Sequence, residues 1–201
     1  MSYLYVTADK IGMQSGGGLV TKEESQALEE FAVSKGEAII KWGRDELVGG
    51  SDPWGWDQVL FQKLCGDIEG LPKLLHIYSG SMSNSVQWTK SSLTYTCAAH
   101  RISDSKKAHE DLGIQYNYPH LIDKELWKKY SSGYWDSNVL IVPSKHSELV
   151  VNEQMDDLGI KDRPKVVIIP HGCEVPIQGI KPLPSTFVVG YLGSFGADKG
   201  L

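Results

Sequence analysis

Three consecutive glycines, Gly16-Gly17-Gly18, separate an apolar run from an amphipathic run, and their type and position predict a chemistry. Glycine has no Cβ, so its backbone adopts positive φ readily and a ligand can approach it closely. A helix beginning directly after them would direct unpaired N–H groups and the positive end of its dipole into the same space. This combination predicts a site for an anion, most often a phosphate. The alternative interpretation is a flexible surface turn.

Two familiar phosphate-binding loops do not fit these residues. A Walker loop requires Gly-x-x-x-x-Gly-Lys-Ser/Thr, and no such string follows the first apolar run. A dinucleotide loop requires Gly-x-Gly-x-x-Gly and an acidic residue at the end of the second strand, where this chain has Trp42-Gly43-Arg44. The sequence therefore disfavours a nucleoside triphosphatase and a kinase, and it makes nicotinamide chemistry a minor alternative.

Composition limits the class of protein. With 201 residues, 41% of them hydrophobic and 22% charged, the chain is long enough for a globular fold of one to two domains. Its net charge of -5 argues against a nucleic-acid partner. Cys65, Cys97 and Cys173 are widely spaced, so we predict neither a metal site nor a disulfide framework. The absence of a signal peptide or long apolar run predicts a cytoplasmic location and leaves association with a membrane surface open.

The elements that must position the glycines alternate between short apolar strands and amphipathic helices. This order predicts an α/β fold, with a parallel sheet, helices on both faces and ligands at the carboxyl ends of the strands. The first helix is expected to begin at the capping box Thr21-Lys22-Glu23-Glu24, with an apolar face of Leu28, Phe31 and Ala32. The predicted strands are Tyr3–Thr7, Ala38–Trp42, Lys73–Tyr78, Leu93–Ala98, Asn138–Val142 and Lys165–Ile169, and the later predicted helices are Trp54–Leu64, Ser81–Ser91, Ser103–Leu112, Ile122–Tyr130 and Lys145–Leu158.

The end of the chain predicts the start of a second domain. The proline-spaced segment 177–185 has the composition of a linker, and a new apolar strand, Thr186–Gly193, follows it. The apolar face of that strand would lack a covering helix, so we expect the natural protein to continue into a second α/β domain. The alternative is a last strand added to the edge of the first sheet.

Several short strings occur in one order across nearly the whole chain. They are Gly16-Gly17-Gly18, the strand Thr94 to His100, the strand Val139 to Ser144, the turn Ile169 to Glu174, and the strand Phe187–Gly193 followed by Lys199-Gly200. Their order and spacing resemble the retaining glycosyltransferases of family 4. That family has the GT-B fold, in which two Rossmann-like domains face each other across a cleft.

The resemblance implies transfer of a hexose from a nucleotide diphosphate sugar to an acceptor hydroxyl, with retention of configuration and without a metal or other cofactor. The acceptor would be a sugar, a glycan or a lipid-linked molecule. Residues 1–176 would form the acceptor-side N-terminal domain, 177–185 the linker, and 186–201 the first strand and glycine loop of the donor-binding domain. The chain alone is then expected to be inactive.

The resemblance also implies roles for individual residues. A departing nucleotide diphosphate gathers negative charge, which the backbone N–H groups of Gly16–Gly18 and the ammonium of Lys199 would stabilise. His100 matches a family histidine near the hydroxyls of the donor sugar, where it would act catalytically by orienting that sugar. The alternative for His100 is a hydrogen-bonded histidine at the end of a strand.

The turn His171-Gly172-Cys173-Glu174 would form the hinge beside the cleft, and the side chain of His171 could simply brace that turn. Two positions depart from the family pattern. Arg101 stands where the family often has aspartate, and Ser194 stands where it often has arginine. Lys199 would therefore carry the diphosphate charge without its usual cationic partner, which weakens the donor assignment.

Other classes of protein remain open at this stage. A nucleotide-sugar epimerase or a phosphorylase could have the same two-domain fold, since fold alone does not determine chemistry. A non-catalytic binding module of the flavodoxin-like type is the other alternative. Acceptor choice would depend on the loop Gly43–Pro53 and on the aromatic-rich stretch Tyr116–Trp135, whose rings could stack on sugars or belong to the core.

Overall fold

A computed structural model describes most of the chain up to His171. The contacts of the chain divide it into Met1–His171 and Gly172–Leu201, and the second unit lies outside the described residues. The predicted linker and second domain therefore remain predictions. The described residues are 3–7, 10–12, 16–47, 53–68, 70–78, 83–89, 92–95, 107, 110–111, 113 and 123–171.

The described strands form one six-stranded, wholly parallel sheet in the order β2-β1-β3-β4-β5-β6. A continuous apolar run such as Val139–Val142 is typical of a strand that is covered on both faces. All the strands predicted between residues 3 and 169 are confirmed with small shifts at their ends, except that residues 96–98 of the fourth are not described. The bounds are β1 Tyr3–Thr7, β2 Ile39–Trp42, β3 Leu74–Tyr78, β4 Ser92–Tyr95, β5 Val139–Val142 and β6 Lys165–Ile168.

The described helices connect these strands. The helix predicted over Ser103–Leu112 lies almost entirely outside the described residues. The one predicted over Ile122–Tyr130 begins at Lys124, because the Asp123 carboxylate accepts from the N–H groups of Glu125 and Leu126, both at 3.0 Å. A short helix that the sequence analysis did not predict follows it. The bounds are α1 Gly16–Ser34, α2 Pro53–Asp67, α3 Ser83–Trp88, α4 Lys124–Tyr130, α5 Ser132–Asp136 and α6 Lys145–Asp157.

Side chains along β1 alternate between the two faces of the sheet. Leu4 and Val6 belong to the core against α2, whereas Tyr5 contacts Glu24 of α1 on the opposite face. Helices therefore cover both faces, as predicted, and the fold is Rossmann-like. The core on the α2 face comprises Leu4, Val6, Trp42, Leu47, Leu60, Leu64, Leu75, Ile77 and Val86. A second core lies under α5 and α6 and comprises Trp135, Leu140, Val142, Val151, Met155 and Leu158.

The start of α1 differs from the expectation. The helix begins at Gly16, so the glycine triplet forms its first turn instead of a loop in front of it. The Thr21 hydroxyl donates to the Gly18 carbonyl at 3.0 Å, so the expected capping box at Thr21 is wrong. The turn with positive φ lies earlier, at Gly12, whose φ is 74° and whose N–H donates to the Gly18 carbonyl at 3.2 Å. This contact holds the chain before the helix against its first turn.

The buried face of α1 also differs in one position. Leu28 and Ala32 are buried as expected, but Phe31 is 46% exposed and packs edge-on against Tyr3, with their ring centroids 5.6 Å apart. The face that meets the sheet repeats every three or four residues, and Phe31 falls beside that stripe. Its members are Gly18, Thr21, Ser25, Leu28 and Ala32.

Candidate anion site at the carboxyl edge of the sheet

The strand order reverses next to β1. The chain runs from β1 to β2 on one side and then returns to β3 on the other side of β1. In parallel α/β sheets such a reversal leaves a crevice beyond the carboxyl ends of the two neighbouring strands, and ligands bind there. Because α1 follows β1 directly, its first turn lies at that edge of the sheet.

Gly16, Gly17 and Gly18 form the first turn of this 19-residue helix. Amides in a first turn have no carbonyl four residues before them within the helix, so they point out of its end. Aligned peptide dipoles add roughly half a positive charge there. The first turn of α1 contains no acidic side chain that would occupy this end. Gly16 and Gly17 therefore present backbone N–H groups and partial positive charge at the N-terminal end of α1.

An ion pair links the loop after β1 to the loop after β2. Lys10 follows β1 and Asp45 follows β2, and their Nζ and Oδ2 atoms are 3.1 Å apart. Both side chains are well exposed, so the pair contributes at most about 1 kcal/mol to stability. Its position matters more, because it holds a lysine beside the carboxyl ends of β1 and β2.

A buried aspartate on α2, Asp57, holds the start of α3, the helix that follows β3. The Asp57 carboxylate is 3% exposed and accepts hydrogen bonds from α3, which begins just beyond the end of β3. Asn84 donates its N–H at 3.0 Å and its Nδ2 at 2.9 Å to Oδ2. Ser85 donates its N–H at 3.1 Å and its hydroxyl at 2.8 Å to Oδ1. Sequence reasoning missed Asp57, since its partners lie 27 and 28 residues further along the chain.

An open groove of about 500 Å³ runs along the outer side of α1, next to the edge strand β2. Its charged groups are mostly paired within the groove. Lys41 Nζ donates to Glu29 at 2.6 Å, and Gln26 donates to Glu30 at 3.1 Å. Because Glu29 and Glu30 balance the charges of Lys22 and Lys41, the lining carries no net positive charge to attract an anion.

Four of the eight residues predicted to form the site lie outside the described residues. His100, Gly172, Glu174 and Lys199 lie outside the described residues, and their roles stay predictions. His171 is exposed and follows β6 by three residues. The described members of the predicted set are Gly16–Gly18, which form the first turn of α1, and His171.

The aromatic stretch is divided between the core and undescribed residues. Trp135 is 5% exposed, and its indole N–H donates to the Ser131 hydroxyl at 3.0 Å. Trp127 and Tyr134 pack against the same core under α5 and α6. These rings stabilise the fold, which is the second of the two roles considered for them. Tyr116 and Tyr118 are not among the described residues.

The described residues contain neither a cluster of metal ligands nor a helix that could span a membrane. Across the described segments, no three His, Cys, Asp or Glu side chains are arranged to hold a metal ion. Among the helices described, none combines the length and the apolar character needed to cross a bilayer.

Comparison with known proteins identifies no family. Neither a family model nor a curated protein matches the chain. A solved structure of an arabinose-binding protein from Geobacillus stearothermophilus is similar, with 12% identity over 82% of this chain and 73% of that protein, and a TM-score of 0.34. A likeness at that TM-score supports no conclusion about ligand or function. The description of the fold rests on the sheet order and the helices given above.

Proposed function

We propose that this chain is the acceptor-side domain of a GT-B type retaining glycosyltransferase, which transfers a hexose from a nucleotide diphosphate sugar to an acceptor hydroxyl. The observation that supports this proposal is the glycine-rich first turn of α1 at the reversal point of a parallel sheet. The order of the motifs favours the family, and the donors in the first turn of α1 are of the kind that a departing diphosphate would need.

The chemistry follows from where charge develops. As the bond from the sugar to the diphosphate breaks, negative charge accumulates on the leaving oxygens, and fixed donors aimed at them lower the barrier. Backbone N–H groups in the first turn of α1 need no reorganisation to do this, because the helix holds them in place. Gly16 and Gly17 have no side chains, so the phosphates can approach the backbone directly.

The remaining roles are proposed for His171 and for residues outside the described set. Lys199 would add a point charge to the diphosphate from the second domain, and His100 would orient the donor sugar through its hydroxyls. His171, Gly172 and Glu174 would form the hinge beside the cleft. No metal or other cofactor is part of this mechanism, and the donor and the hydroxyl acceptor are the ligands that it requires.

The decisive experiment uses a pair of helical glycines in the full-length protein. Gly17→Val places a branched side chain where the diphosphate would approach, so we expect at least a tenfold loss in kcat/KM, equivalent to about 1.4 kcal/mol. Gly66→Val is the matched control, because Gly66 lies within α2, is exposed, and a Cβ there would meet nothing within 4 Å. The rate is measured with a panel of uridine, guanosine and adenosine diphosphate sugars.

The kinetics and folding of the two variants distinguish a role in donor binding from a role in packing. Equal kinetics for the two variants would show that the first turn of α1 does not contact the donor. Loss of folding in Gly17→Val alone, seen by circular dichroism, would assign the glycine a packing role. Conversion of the donor without any acceptor would instead identify an epimerase.

A second candidate is a non-catalytic binding module of the flavodoxin-like type. The order β2-β1-β3-β4-β5 is the one found in flavodoxin-like folds, which bind their ligand at the β1/β3 reversal. Calorimetry on the 201-residue chain distinguishes the two candidates. A glycosyltransferase half should bind nucleotide sugars only at millimolar concentrations, about 4 kcal/mol, because most contacts come from the other domain. Micromolar binding of flavin mononucleotide would favour the binding module.

A further inference from the structure

The helix that carries the glycine turn has little apolar packing against the sheet. Of the five residues on its buried stripe, Leu28 alone has a large aliphatic side chain, and the others are Gly18, Thr21, Ser25 and Ala32. Large apolar side chains of α1 point away from the sheet instead, with Leu19 58% and Val33 67% exposed. An interface of small side chains presents few projections that would resist sliding of the helix along its axis.

A directed polar contact lies in the middle of this interface. The Glu24 carboxylate of α1 reaches β1 and β3 together through one oxygen, Oε2. The Tyr5 hydroxyl donates to it at 3.1 Å, and His76 Nε2 lies 3.2 Å from it. Tyr5 and His76 are register partners on neighbouring strands, and their ring centroids are 5.1 Å apart. We call these three residues the Glu24 contact.

The Glu24 contact is shielded from water. Tyr5 is fully buried, and the side chains of His76 and Glu24 are only 8% and 16% exposed. Within the described residues His76 Nε2 makes no aligned hydrogen bond, so the Glu24 carboxylate is its close polar neighbour. Breaking a hydrogen bond to a carboxylate in such a buried place costs more than losing an exposed contact.

We infer that Glu24 is a positioning residue that fixes α1 along its axis. One residue of sliding moves a helix by about 1.5 Å, which is enough to break both contacts of the Glu24 oxygen. The small-residue stripe alone would tolerate that displacement. The Glu24 contact thereby sets how far the first turn of α1 extends beyond β1 and β3. This role goes beyond the proposed function and holds whichever ligand binds at the carboxyl edge.

Amide hydrogen exchange, measured by NMR on the 201-residue chain, tests the inference residue by residue. In Glu24→Ala we expect exchange between Thr21 and Ala32 of α1 to accelerate roughly a hundredfold. Amides of β5 should change less than threefold. Glu24→Gln keeps an oxygen for the Tyr5 hydroxyl and should retain most of the protection. Glu30→Ala is the control, because Glu30 lies on the same helix and is exposed.

Tyr5→Phe provides an independent variant if Glu24→Ala does not fold. It removes one hydroxyl without changing the ring, and we expect roughly tenfold faster exchange confined to α1. Unchanged exchange in α1 would overturn the inference. So would acceleration by the same factor in α1 and β5, because a general loss of stability affects both. A Glu24→Gln variant as impaired as Glu24→Ala would also contradict it.

Discussion

Replacing Asp57 tests how much its hydrogen bonds to the start of α3 contribute to the stability of the fold. Asp57→Ala removes the acceptor of four hydrogen bonds from the start of α3. Asn84 is exposed, so its donors can turn to water in the variant. Ser85 is fully buried, so its N–H loses its acceptor in a place that water does not reach. Its hydroxyl is left with only the longer contact to the main-chain carbonyl of residue 57, at 3.4 Å.

The loss of stability depends mainly on the buried donors of Ser85, because those of Asn84 can turn to water. Each buried donor left unsatisfied costs about 1–3 kcal/mol, and loss of a helix-capping side chain costs about 0.5–2 kcal/mol. Since these contributions overlap, we expect Asp57→Ala to lower the free energy of unfolding by about 3–5 kcal/mol. For a chain of this size the melting temperature should fall by about 6–20 °C. Asp57→Asn keeps one acceptor oxygen, so we expect about half of that loss.

Urea and thermal unfolding followed by circular dichroism measure the effect. Asp67→Ala is the matched control, because Asp67 ends the same helix, is exposed, and pairs with Lys63 at 2.8 Å. We expect this control to stay within about 0.5 kcal/mol of wild type. If Asp57→Ala stays equally close, the buried hydrogen bonds do not stabilise the fold as argued. If both variants lose the same amount, the cause lies in α2 itself.

Three further predictions concern stability. Leu140→Ala removes a fully buried side chain from the core under α6, so the free energy of unfolding in urea should fall by about 2–5 kcal/mol. A loss near zero would contradict tight packing at this position. Asp123→Ala removes the N-cap of α4 and should lower the free energy of unfolding by about 0.5–2 kcal/mol in the same measurement. Asp123→Asn keeps a capping oxygen, and full retention of stability in that variant would support this cause. A hydrogen bond from Lys73 lowers the pKa of Glu37, so the carboxylate stabilises the fold above its unfolded pKa, and this contribution is lost as pH falls through the lower folded value. Wild type should therefore lose more stability than Glu37→Gln in unfolding titrations carried into that acid range, and parallel curves for the two proteins would refute this.

Local patterns were sufficient to predict the strands and most of the helices. Strands such as β1 and β5 are short, continuous apolar runs bounded by polar residues, and this character does not depend on distant parts of the chain. The start of α1 was placed too late, because Thr21 fits a capping box when only its neighbours are considered. A contact between Gly12 and Gly18 holds the chain so that the helix begins at Gly16 instead.

The candidate site was only partly predictable. The glycine triplet indicated an anion site from residue type alone, and the structure places it at the reversal point of the sheet. The roles of His100, Lys199 and the hinge after Ile169 stay predictions. Asp57 did not stand out, because an acidic residue in a helix is usually solvated. Glu24 was assigned to a capping box, whereas its carboxylate contacts Tyr5 and His76 of the sheet.

By itself, the sequence determined the alternation of strands and helices, since periodicity and caps act over a few residues. Tertiary structure alone decided which of these elements are neighbours. Tyr5 and His76 are adjacent because β3 lies beside β1, and Ser85 meets Asp57 because α3 packs on α2. Such contacts join residues far apart in the chain, and whether a polar side chain is buried depends on the elements that close over it.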